Sequence, residues 1–259
     1  MRSINIFKKS NRPIVMTTAY DYVSARTASS AGIEALLVGD SLGMVLGGAE
    51  NTLNVSMEEM ILHTKYARSG APDHFIVSDM PFLSYKISPA EAVRNAGRLI
   101  REGADAVKIE GGTEVCRLIK KLVFADIPVM GHIGLTPQGI LKFGRYKKIG
   151  KKEVDKKYLL RSAVEMEKAG AFAIVLENIP ASTADEVTKR IGIPTIGIGS
   201  GPGTDGQILV WHDVLGFYDK LKPKFAKNYK NLWEEAVDGL KRFASEIKNG
   251  SFPDEEHSG

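Results

Sequence analysis

Apolar and polar positions follow one repeated order along the chain: a segment with apolar residues at helical spacing, then a glycine, then a short continuous apolar run. Residues 88–110 show this order most clearly. Ser88 and Glu91 predict a capping box, with Pro89 at the first helical position and a helix that ends at the following glycine. The apolar strand predicted after this helix ends at an acid, Glu110.

The same order recurs along the chain, and four further apolar runs bring the number of predicted strands to eight. The acid-ended units are 32–40, 70–79, 103–110 and 170–177, and the further runs are 13–21, 127–134, 193–199 and 207–213. Continuous apolar strands that alternate with helices predict a parallel sheet covered on both faces. Eight such units in about 250 residues predict an α/β protein with a (β/α)8 TIM barrel, and an open doubly wound sheet is the structural alternative.

The domain organisation follows from the absence of any linker-like tract rich in Pro, Ser or Gly. Residues 1–259 are therefore expected to form a single barrel domain. A basic insertion at about 139–157 follows the fifth predicted strand. An additional C-terminal helix is predicted at about 229–247.

Composition excludes several classes of protein. The chain is 43% hydrophobic and 25% charged, which is typical of a globular enzyme-sized domain. No apolar run approaches the ~18 residues of a membrane span, and the first residues lack the apolar stretch of a signal peptide. The single cysteine, Cys116, excludes an internal disulfide framework and fits a reducing compartment, so we expect a cytoplasmic location and no membrane partner.

The net charge of +4 is concentrated in one segment. Residues 142–157 hold eight Lys/Arg and two Asp/Glu, so that of the 35 basic and 31 acidic residues, 27 and 29 lie elsewhere. A nucleic-acid-binding protein usually spreads its basic residues over a stripe with interleaved aromatic residues. We therefore expect no nucleic-acid partner, and the simplest interpretation of this segment is a solvated loop.

Five polar side chains are expected at the carboxyl ends of the strands, where barrel enzymes carry their active sites: Asp40, Asp79, Glu110, His132 and Glu177. A single acid after a strand is usually a turn or cap residue, but several carboxylates at one barrel mouth repel each other unless a cation neutralises them. An oxygen-rich set without a cysteine pair favours Mg²⁺. Strand alternation turns Lys108 to the same side as Glu110, where it either forms a salt bridge or holds a substrate oxygen. His132 alone fits a structural role equally well.

Two short motifs suggest other functions. Gly201, Gly203 and Gly206 match the dinucleotide-binding fingerprint, but the QILVW that follows them predicts a strand, whereas the fingerprint must open a helix. We therefore expect a flexible loop there.

Residues 39–43, GDSLG, match the signature of GDSL hydrolases, which would make Ser41 a nucleophile and His257 its base, with Asp254 completing a D-x-x-H match. The glycine-rich LGMVLGGAEN after Ser41 argues against the helix that should follow such a nucleophile. No G-x-N-D block is present, and the esterase hypothesis leaves the other strand-end acids unexplained.

Many segments together resemble the ketopantoate hydroxymethyltransferase family, nearly from end to end. They are TTAYDY, LLVGDSLGMVLGG, the histidine of ILHTKYARSGAP, SDMPF, VKIEGG, GHIGLTPQ, the VLENIP strand end, IGIGSGPGTDGQILVWHD, KFAKNY and FPDEEHS. The resemblance implies transfer of a hydroxymethyl group from 5,10-methylenetetrahydrofolate to 3-methyl-2-oxobutanoate. The product is 2-dehydropantoate, in the first step of pantothenate and coenzyme A biosynthesis.

The resemblance also implies roles for individual residues. One Mg²⁺ per subunit would be held at Asp40, Asp79 and Glu110, Glu177 would be the base, and the chain would form a homo-oligomer, typically a homodecamer. The residues expected to bind substrate are Asp40, Ser41, Asp79, Lys108 and His132. A 2-oxo acid can chelate Mg²⁺ through its keto and carboxylate oxygens, so that an enolate forms and attacks the one-carbon donor.

The lysine-rich stretch KKIGKKEVDKK departs from the family pattern. We hypothesise that Lys147, Lys148, Lys151 and Lys152 attract the glutamate tail of the folate-type donor, against the alternative of an ordinary surface loop. Within the same fold, the runner-up is a lyase of the phosphoenolpyruvate mutase and isocitrate lyase type. Those enzymes use a cysteine in a mobile loop, whereas Cys116 is predicted to lie in a helix. A barrel that merely binds a metabolite is the simplest alternative of all.

Overall fold

The computed structural model of the chain describes residues 3–10, 12–144, 147–218 and 223–258. Within them, eight parallel strands close into a barrel in which each strand pairs with the next and the last pairs with the first. The strands are β1 (Ile14–Thr18), β2 (Ala35–Val38), β3 (Phe75–Asp79), β4 (Ala106–Glu110), β5 (Val129–Gly134), β6 (Ala173–Glu177), β7 (Thr195–Ile198) and β8 (Gly206–Leu209). The predicted (β/α)8 barrel is confirmed, and the closed strand order replaces the open-sheet alternative.

Helices surround this barrel or follow it. They are α1 (Tyr22–Ser30), α2 (Leu42–Val45), α3 (Met57–Gly70), α4 (Pro89–Arg101), α5 (Cys116–Phe124), α6 (Ile140–Phe143), α7 (Glu153–Lys168), α8 (Ala181–Arg190), α9 (Trp211–Leu215) and α10 (Leu232–Asn249). Short 3₁₀ helices occupy Ile4–Phe7, Thr113–Val115 and Pro137–Gly139. At α4, Ser88 Oγ accepts from the Glu91 N–H and Pro89 takes the first helical position, as predicted.

Strand alternation divides each strand between two cores. Every second residue faces the barrel interior, and the lower part of that interior is apolar, as in the buried cluster that includes Val77, Ala106, Met130 and Val175. The other positions pack outward against the helices in a second, larger cluster. Toward the carboxyl ends of the strands, the inward-facing residues are polar or charged. The polar site therefore lies directly above the apolar part of the barrel interior.

The amino-terminal end of the barrel is closed by an aromatic plug. Phe7, from the first 3₁₀ helix, is buried and packs edge-on against Phe75 at 5.4 Å and Phe172 at 4.9 Å between ring centroids. Because edge-to-face aromatic packing fills this end, the opposite end is the open one.

The last predicted strand is wrong in its extent. The run 207–213 was expected to be a strand throughout, but β8 ends at Leu209 and the next residues form α9. Pairing with the neighbouring strand explains the difference. The β8 strand pairs with β1 only over Ile14 to Thr17, and this pairing ends at Leu209. The glycine motif before β8 leads into a strand, as predicted.

The chain forms two compact units, Met1–Val210, which contains the barrel, and Trp211–Gly259, which contains α9 and α10. The predicted C-terminal helix at about 229–247 corresponds to α10, which begins and ends slightly later. The basic insertion is an exposed segment over 147–148 and 151–152, and its last residues form the first turn of α7. Residues 145–146 of the insertion lie outside the described residues. Among the described residues, no helix combines the length and the apolar character needed to cross a bilayer.

Candidate active site

Ionisable side chains from four neighbouring strands, β3 to β6, meet at the carboxyl end of the barrel. The Lys108 Nζ atom lies 3.0 Å from Asp79 Oδ1 and 3.8 Å from Glu110 Oε1. Asp79 ends β3 and Glu110 ends β4, two residues after Lys108 on the same inward side. The predicted common orientation of Lys108 and Glu110 is therefore confirmed, and the ammonium group lies between two carboxylates.

The charge balance of this cluster is set by burial. Asp40, Asp79, Lys108 and Glu110 are each at most 4% exposed. Burial raises the pKa of Asp40 well above its usual value, and the nearby charges of Asp79 and Glu110 raise it further. Burial also raises the pKa of Glu110 to about 7, although the positive charge of Lys108 opposes this shift. Burial would lower the pKa of Lys108, but the surrounding carboxylates hold it above its usual value, so this residue stays charged.

His132 lies inside β5, two residues before the strand ends, and its ring connects the lysine to Glu177. Its Nδ1 atom is 3.0 Å from Lys108 Nζ, and its Nε2 atom is 3.2 Å from Glu177 Oε2. An ammonium group can only donate, so Nδ1 must accept and the ring hydrogen must be on Nε2. Burial and the charge of Lys108 lower the pKa of His132 well below its usual value. The ring is therefore neutral, and its Nε2 atom lies beside Glu177 without a hydrogen bond to it.

Glu177 differs from the other acids in its access to the barrel mouth. Its side chain is 16% exposed, whereas that of Glu110 is 1% exposed. Burial of its carboxyl group raises the pKa to about 8, with Lys108 opposing the shift. A carboxyl group with this pKa that can still be reached from the mouth has the properties of a general base near neutral pH.

The backbone fixes the position of Glu177. The Leu135 N–H donates to the Glu177 carbonyl oxygen at 2.8 Å. Gly134 packs directly against that oxygen with a φ of +101°, so a side chain at position 134 would collide with it. The next residue, Asn178, has a φ of 47°, and its N–H donates to the Ile198 carbonyl oxygen. Hydrogen bonds to the ends of both neighbouring strands, β5 and β7, therefore fix the backbone at the candidate base.

Asp40 lies two residues after the end of β2 and enters the cluster through a side chain that the sequence analysis did not single out. Gln138 donates from Nε2 to Asp40 Oδ2 at 2.8 Å, and its backbone N–H donates to Glu110 Oε2 at 3.0 Å. The Asp40 N–H in turn donates to Asp79 Oδ2 at 3.0 Å. The only signal for Gln138 in the sequence is its place in GHIGLTPQ, directly after a proline that opens a 3₁₀ helix.

The three acids expected to hold Mg²⁺ fit such an ion by donor type and charge. Three buried carboxylates share one lysine, which pairs with Asp79 Oδ1, and the buried Glu110 Oε1 atom accepts no hydrogen bond. Hard divalent ions prefer such oxygen ligands. Among the described residues, however, no three or more His, Cys, Asp and Glu side chains are already grouped as a metal site. The acids therefore fit the ion without forming a preassembled site.

Ser41 directly follows Asp40 in the chain. Its hydroxyl group is 2.8 Å from the hydroxyl of Tyr20, a fully buried residue. A helix follows Ser41, against expectation, but it is the single turn α2. His257 Nδ1 is 2.6 Å from Asp254 Oδ1 in an exposed pair of the C-terminal unit. Nothing in these contacts activates Ser41 as the esterase hypothesis requires.

Comparison with known proteins identifies the family. The sequence model of the ketopantoate hydroxymethyltransferase family matches residues 1–255. The chain belongs to the ketopantoate hydroxymethyltransferase family. It is 56% identical over 250 residues to a 3-methyl-2-oxobutanoate hydroxymethyltransferase of Thermotoga maritima, covering 96% of this chain and 93% of the relative. For a Pyrococcus furiosus relative of the same name, the identity is 53% over 249 residues, with 96% and 88% covered. The predicted family and the assignment as a hydroxymethyltransferase enzyme are confirmed.

Solved structures with low sequence identity share the fold of this ketopantoate hydroxymethyltransferase family member. A 2,3-dimethylmalate lyase of the phosphoenolpyruvate mutase/isocitrate lyase superfamily matches with a TM-score of 0.62 at 18% identity, covering 96% of this chain and 87% of that chain. A phosphoenolpyruvate phosphomutase from Streptomyces platensis matches with 0.61 at 15% identity, covering 93% and 85%. In this chain Cys116 begins helix α5, as predicted, and is half-buried.

Proposed function

We propose that this chain transfers a hydroxymethyl group from 5,10-methylenetetrahydrofolate to 3-methyl-2-oxobutanoate, giving 2-dehydropantoate, with one Mg²⁺ per subunit. Membership of the family supports the reaction. The observation that carries the mechanism is the position of Glu177, a carboxyl group with a raised pKa that faces both the neutral ring of His132 and the barrel mouth.

Asp40, Asp79 and Glu110 would hold the metal ion through their oxygens. When bound, the ion supplies the positive charge that stabilises an enolate oxygen of the 2-oxo acid. This role explains why three carboxylates share one buried site with a single lysine. Without an added cation, the cluster lowers its own charge by holding protons, as the raised pKa values of Asp40 and Glu110 indicate.

The other residues of the site bind the substrate and transfer its proton. Lys108 keeps its positive charge and can hold a substrate carboxylate or enolate oxygen, while Asp79 orients it at 3.0 Å. Glu177 takes the proton from C3 of the substrate, and the electron pair of that C–H bond becomes the enolate. Water cleaves the two C–N bonds that hold the one-carbon unit in the donor, which releases tetrahydrofolate and formaldehyde. The enolate carbon then attacks the formaldehyde carbon to form the new C–C bond, and the formaldehyde oxygen takes up a proton to become the hydroxyl group of the product. The neutral ring of His132 lies beside Glu177, with Nε2 3.2 Å from Oε2, and adds no charge next to this base.

We also propose a cytoplasmic location, which is inferred from the amino-acid composition. A cytoplasmic location is consistent with one free cysteine and no disulfide among the described residues. Cell fractionation with an antibody against the chain would test it, and recovery outside the cytoplasm would contradict it.

Exchange of the C3 hydrogen tests the first chemical step alone. Wild-type protein with Mg²⁺ and no folate is expected to exchange this hydrogen of 3-methyl-2-oxobutanoate for deuterium, as followed by proton NMR. Glu177→Gln keeps the size of the side chain and removes its basicity, so exchange should fall by about 10²–10⁴-fold. Binding of the 2-oxo acid, measured by calorimetry, should remain.

Glu58→Gln is the matched control for this experiment. Glu58 is an exposed acid on α3 that pairs with Arg98 on the outer surface, so this variant should exchange at the wild-type rate. If Glu177→Gln also exchanges at the wild-type rate, another group is the base. If exchange in the wild type does not depend on a divalent ion, the metal part of the proposal is wrong.

A further inference from the structure

Gln138 connects the ends of several strands from a single buried position. It lies in the 3₁₀ helix after β5 and is 3% exposed. Its Nε2 atom donates to Asp40 Oδ2 at 2.8 Å and to the Met80 carbonyl oxygen at 2.9 Å. Its backbone N–H donates to Glu110 Oε2 at 3.0 Å. One residue therefore contacts two of the three acids that fit a metal ion.

The orientation of the Gln138 amide is fixed by its partners. The Met80 carbonyl oxygen can only accept a hydrogen bond, so the amide nitrogen must face it. On the opposite side, the hydroxyl of Tyr85 donates to Gln138 Oε1 at 2.8 Å, and Tyr85 is itself 2% exposed. Both amide hydrogens are thus used. Rotation of the amide would leave buried polar atoms without partners, which is unfavourable.

Each of the three carboxylates has one oxygen that accepts a hydrogen bond from an amide. One oxygen of each acid accepts an uncharged N–H: Asp40 Oδ2 and Glu110 Oε2 from Gln138, and Asp79 Oδ2 from the Asp40 backbone. The second oxygen of Glu110 is buried and accepts no hydrogen bond, whereas that of Asp79 forms the ion pair with Lys108. This pattern holds each carboxylate in place and leaves the second oxygen of Glu110 available to a ligand.

We propose that Gln138 is a positioning residue, which holds Asp40 and Glu110 with one oxygen each turned toward a divalent cation. This inference rests on the metal-dependent function proposed above. An amide is suited to the role because it donates hydrogen bonds without adding positive charge. A lysine or arginine at this position would offset the negative charge that attracts the ion. Partners of metal ligands act in this way in other metal sites, where they set ligand orientation and affinity.

Titration of metal-free protein with Mn²⁺, followed by the electron paramagnetic resonance signal of the free ion, tests the proposal. Gln138→Met keeps the length of the side chain and the backbone N–H, but it removes the bonds to Asp40 and Met80. The dissociation constant for Mn²⁺ is expected to rise about 10–100-fold. Because the acids remain, turnover should recover at saturating metal to within about twofold of wild type, so the change should appear in the metal requirement and not in kcat.

Gln207→Met is the matched control. Gln207 lies on β8, and its amide donates to the Gly201 carbonyl oxygen and to Thr204 Oγ1, so the same chemical change there should leave Mn²⁺ affinity unchanged. A dissociation constant for Gln138→Met within twofold of wild type would overturn the proposal. So would a loss of turnover that saturating metal does not restore, because it would indicate a purely structural role.

If far-ultraviolet circular dichroism shows that Gln138→Met does not fold, Tyr85→Phe decides, because it removes the hydroxyl that orients the amide. A dissociation constant for Mn²⁺ that rises above the wild-type value, by less than the about 10–100-fold expected for Gln138→Met, supports the proposal. A dissociation constant equal to that of wild type overturns it. If wild-type protein does not bind Mn²⁺, the metal part of the proposed function fails as well. If wild-type and Gln138→Met proteins bind Mn²⁺ equally, only the role of Gln138 fails.

Discussion

Glu177 and Glu110 are both buried glutamates with raised pKa values, but their surroundings suit them to different tasks. Glu110 is 1% exposed and accepts a hydrogen bond from the Gln138 N–H, which suits it to the proposed role of a metal ligand. Glu177 ends β6 with its side chain 16% exposed and the neutral ring of His132 beside it. A base needs this access to the mouth in order to reach a substrate C–H bond.

The first prediction concerns the ionisation of Glu177. Burial raises the pKa of this residue to about 8, so its carboxyl group is mostly protonated at pH 6 and mostly ionised well above pH 8. Only the ionised form can accept the C3 proton. Exchange of the C3 hydrogen should therefore rise with pH through the pKa of Glu177.

Carbon-13 NMR of protein labelled at the glutamate carboxyl carbons measures this ionisation directly. In metal-free protein, one resonance should titrate with a midpoint of about 8 and should be missing from Glu177→Gln. A second resonance, from Glu110, should titrate with a midpoint of about 7 in the wild type. This resonance should remain in Glu177→Gln with a lower midpoint, because the charge of Glu177 contributes to raising the pKa of Glu110. A Glu177 resonance that titrates near the ordinary value of about 4.3 would contradict the prediction.

Individual contacts differ in how far a sequence can predict them. The common orientation of Lys108 and Glu110 follows from strand alternation, which does not depend on any neighbour. Gln138 is different, because its partners Glu110 and Asp40 are 28 and 98 residues away along the chain. Its contacts depend on the path of a loop, which periodicity does not encode. The same holds for the pairing of Ser41 with the hydroxyl of Tyr20.

At the scale of elements, the repeated unit of helix, glycine and strand predicts most of the barrel. A parallel strand buried on both faces needs a continuous apolar run, and each such run in the sequence forms a strand. The exception is the end of β8, where Trp211 and His212 are apolar or aromatic but belong to helix α9. Strand length there is limited by the partner strand, and a local pattern carries no information about its partner.

The fold does not show a role for the basic segment, residues 142–157. Lys147, Lys148, Lys151 and Lys152 are exposed. The Lys148 Nζ atom lies 3.5 Å from the Gly199 carbonyl oxygen, and the Ile149 N–H donates to the Asn178 carbonyl oxygen at 3.0 Å. Asn178 and Gly199 directly follow β6 and β7, so Lys148 and Ile149 lie at the end of the barrel that carries the site.

The second prediction is that these four lysines recruit the donor and take no part in enolisation. Replacing all four by Gln should raise the Michaelis constant for a donor with several glutamates, because less positive charge attracts its anionic tail. The salt dependence of that constant should weaken, since exposed charges are screened over about 10 Å at 0.1 M ionic strength. Exchange of the C3 hydrogen should not change.

A variant with Lys65, Lys120, Lys121 and Lys189 replaced by Gln is the control, because it removes the same charge from outer helices. Steady-state kinetics with donors carrying one or several glutamates compare the proteins. If wild type and both variants show equal Michaelis constants for the two donors at low salt, the segment is an ordinary surface loop.

At the scale of the whole molecule, the C-terminal unit differs from the barrel unit in how it buries apolar surface. Helix α10 has no buried residue. Trp233, Leu240 and Ile247 are 42%, 67% and 51% exposed, and Phe243 is 49% exposed. Because Trp233, Leu240 and Ile247 are seven residues apart, they lie along one side of the helix. An exposed apolar stripe of this length usually marks a contact with another protein surface.

The last prediction is that this stripe contributes to a homo-oligomer, for which the family resemblance implies a decamer. Leu240→Glu with Ile247→Glu places two charges on the stripe, and burying them in an interface would be unfavourable. The variant should therefore have a lower mass than wild type by light scattering coupled to gel filtration. Ser245→Glu, on another side of the same helix, is the control and should keep the wild-type mass. A monomeric wild type would contradict the oligomer itself, whereas a double variant of unchanged mass would show that α10 lies outside the interface.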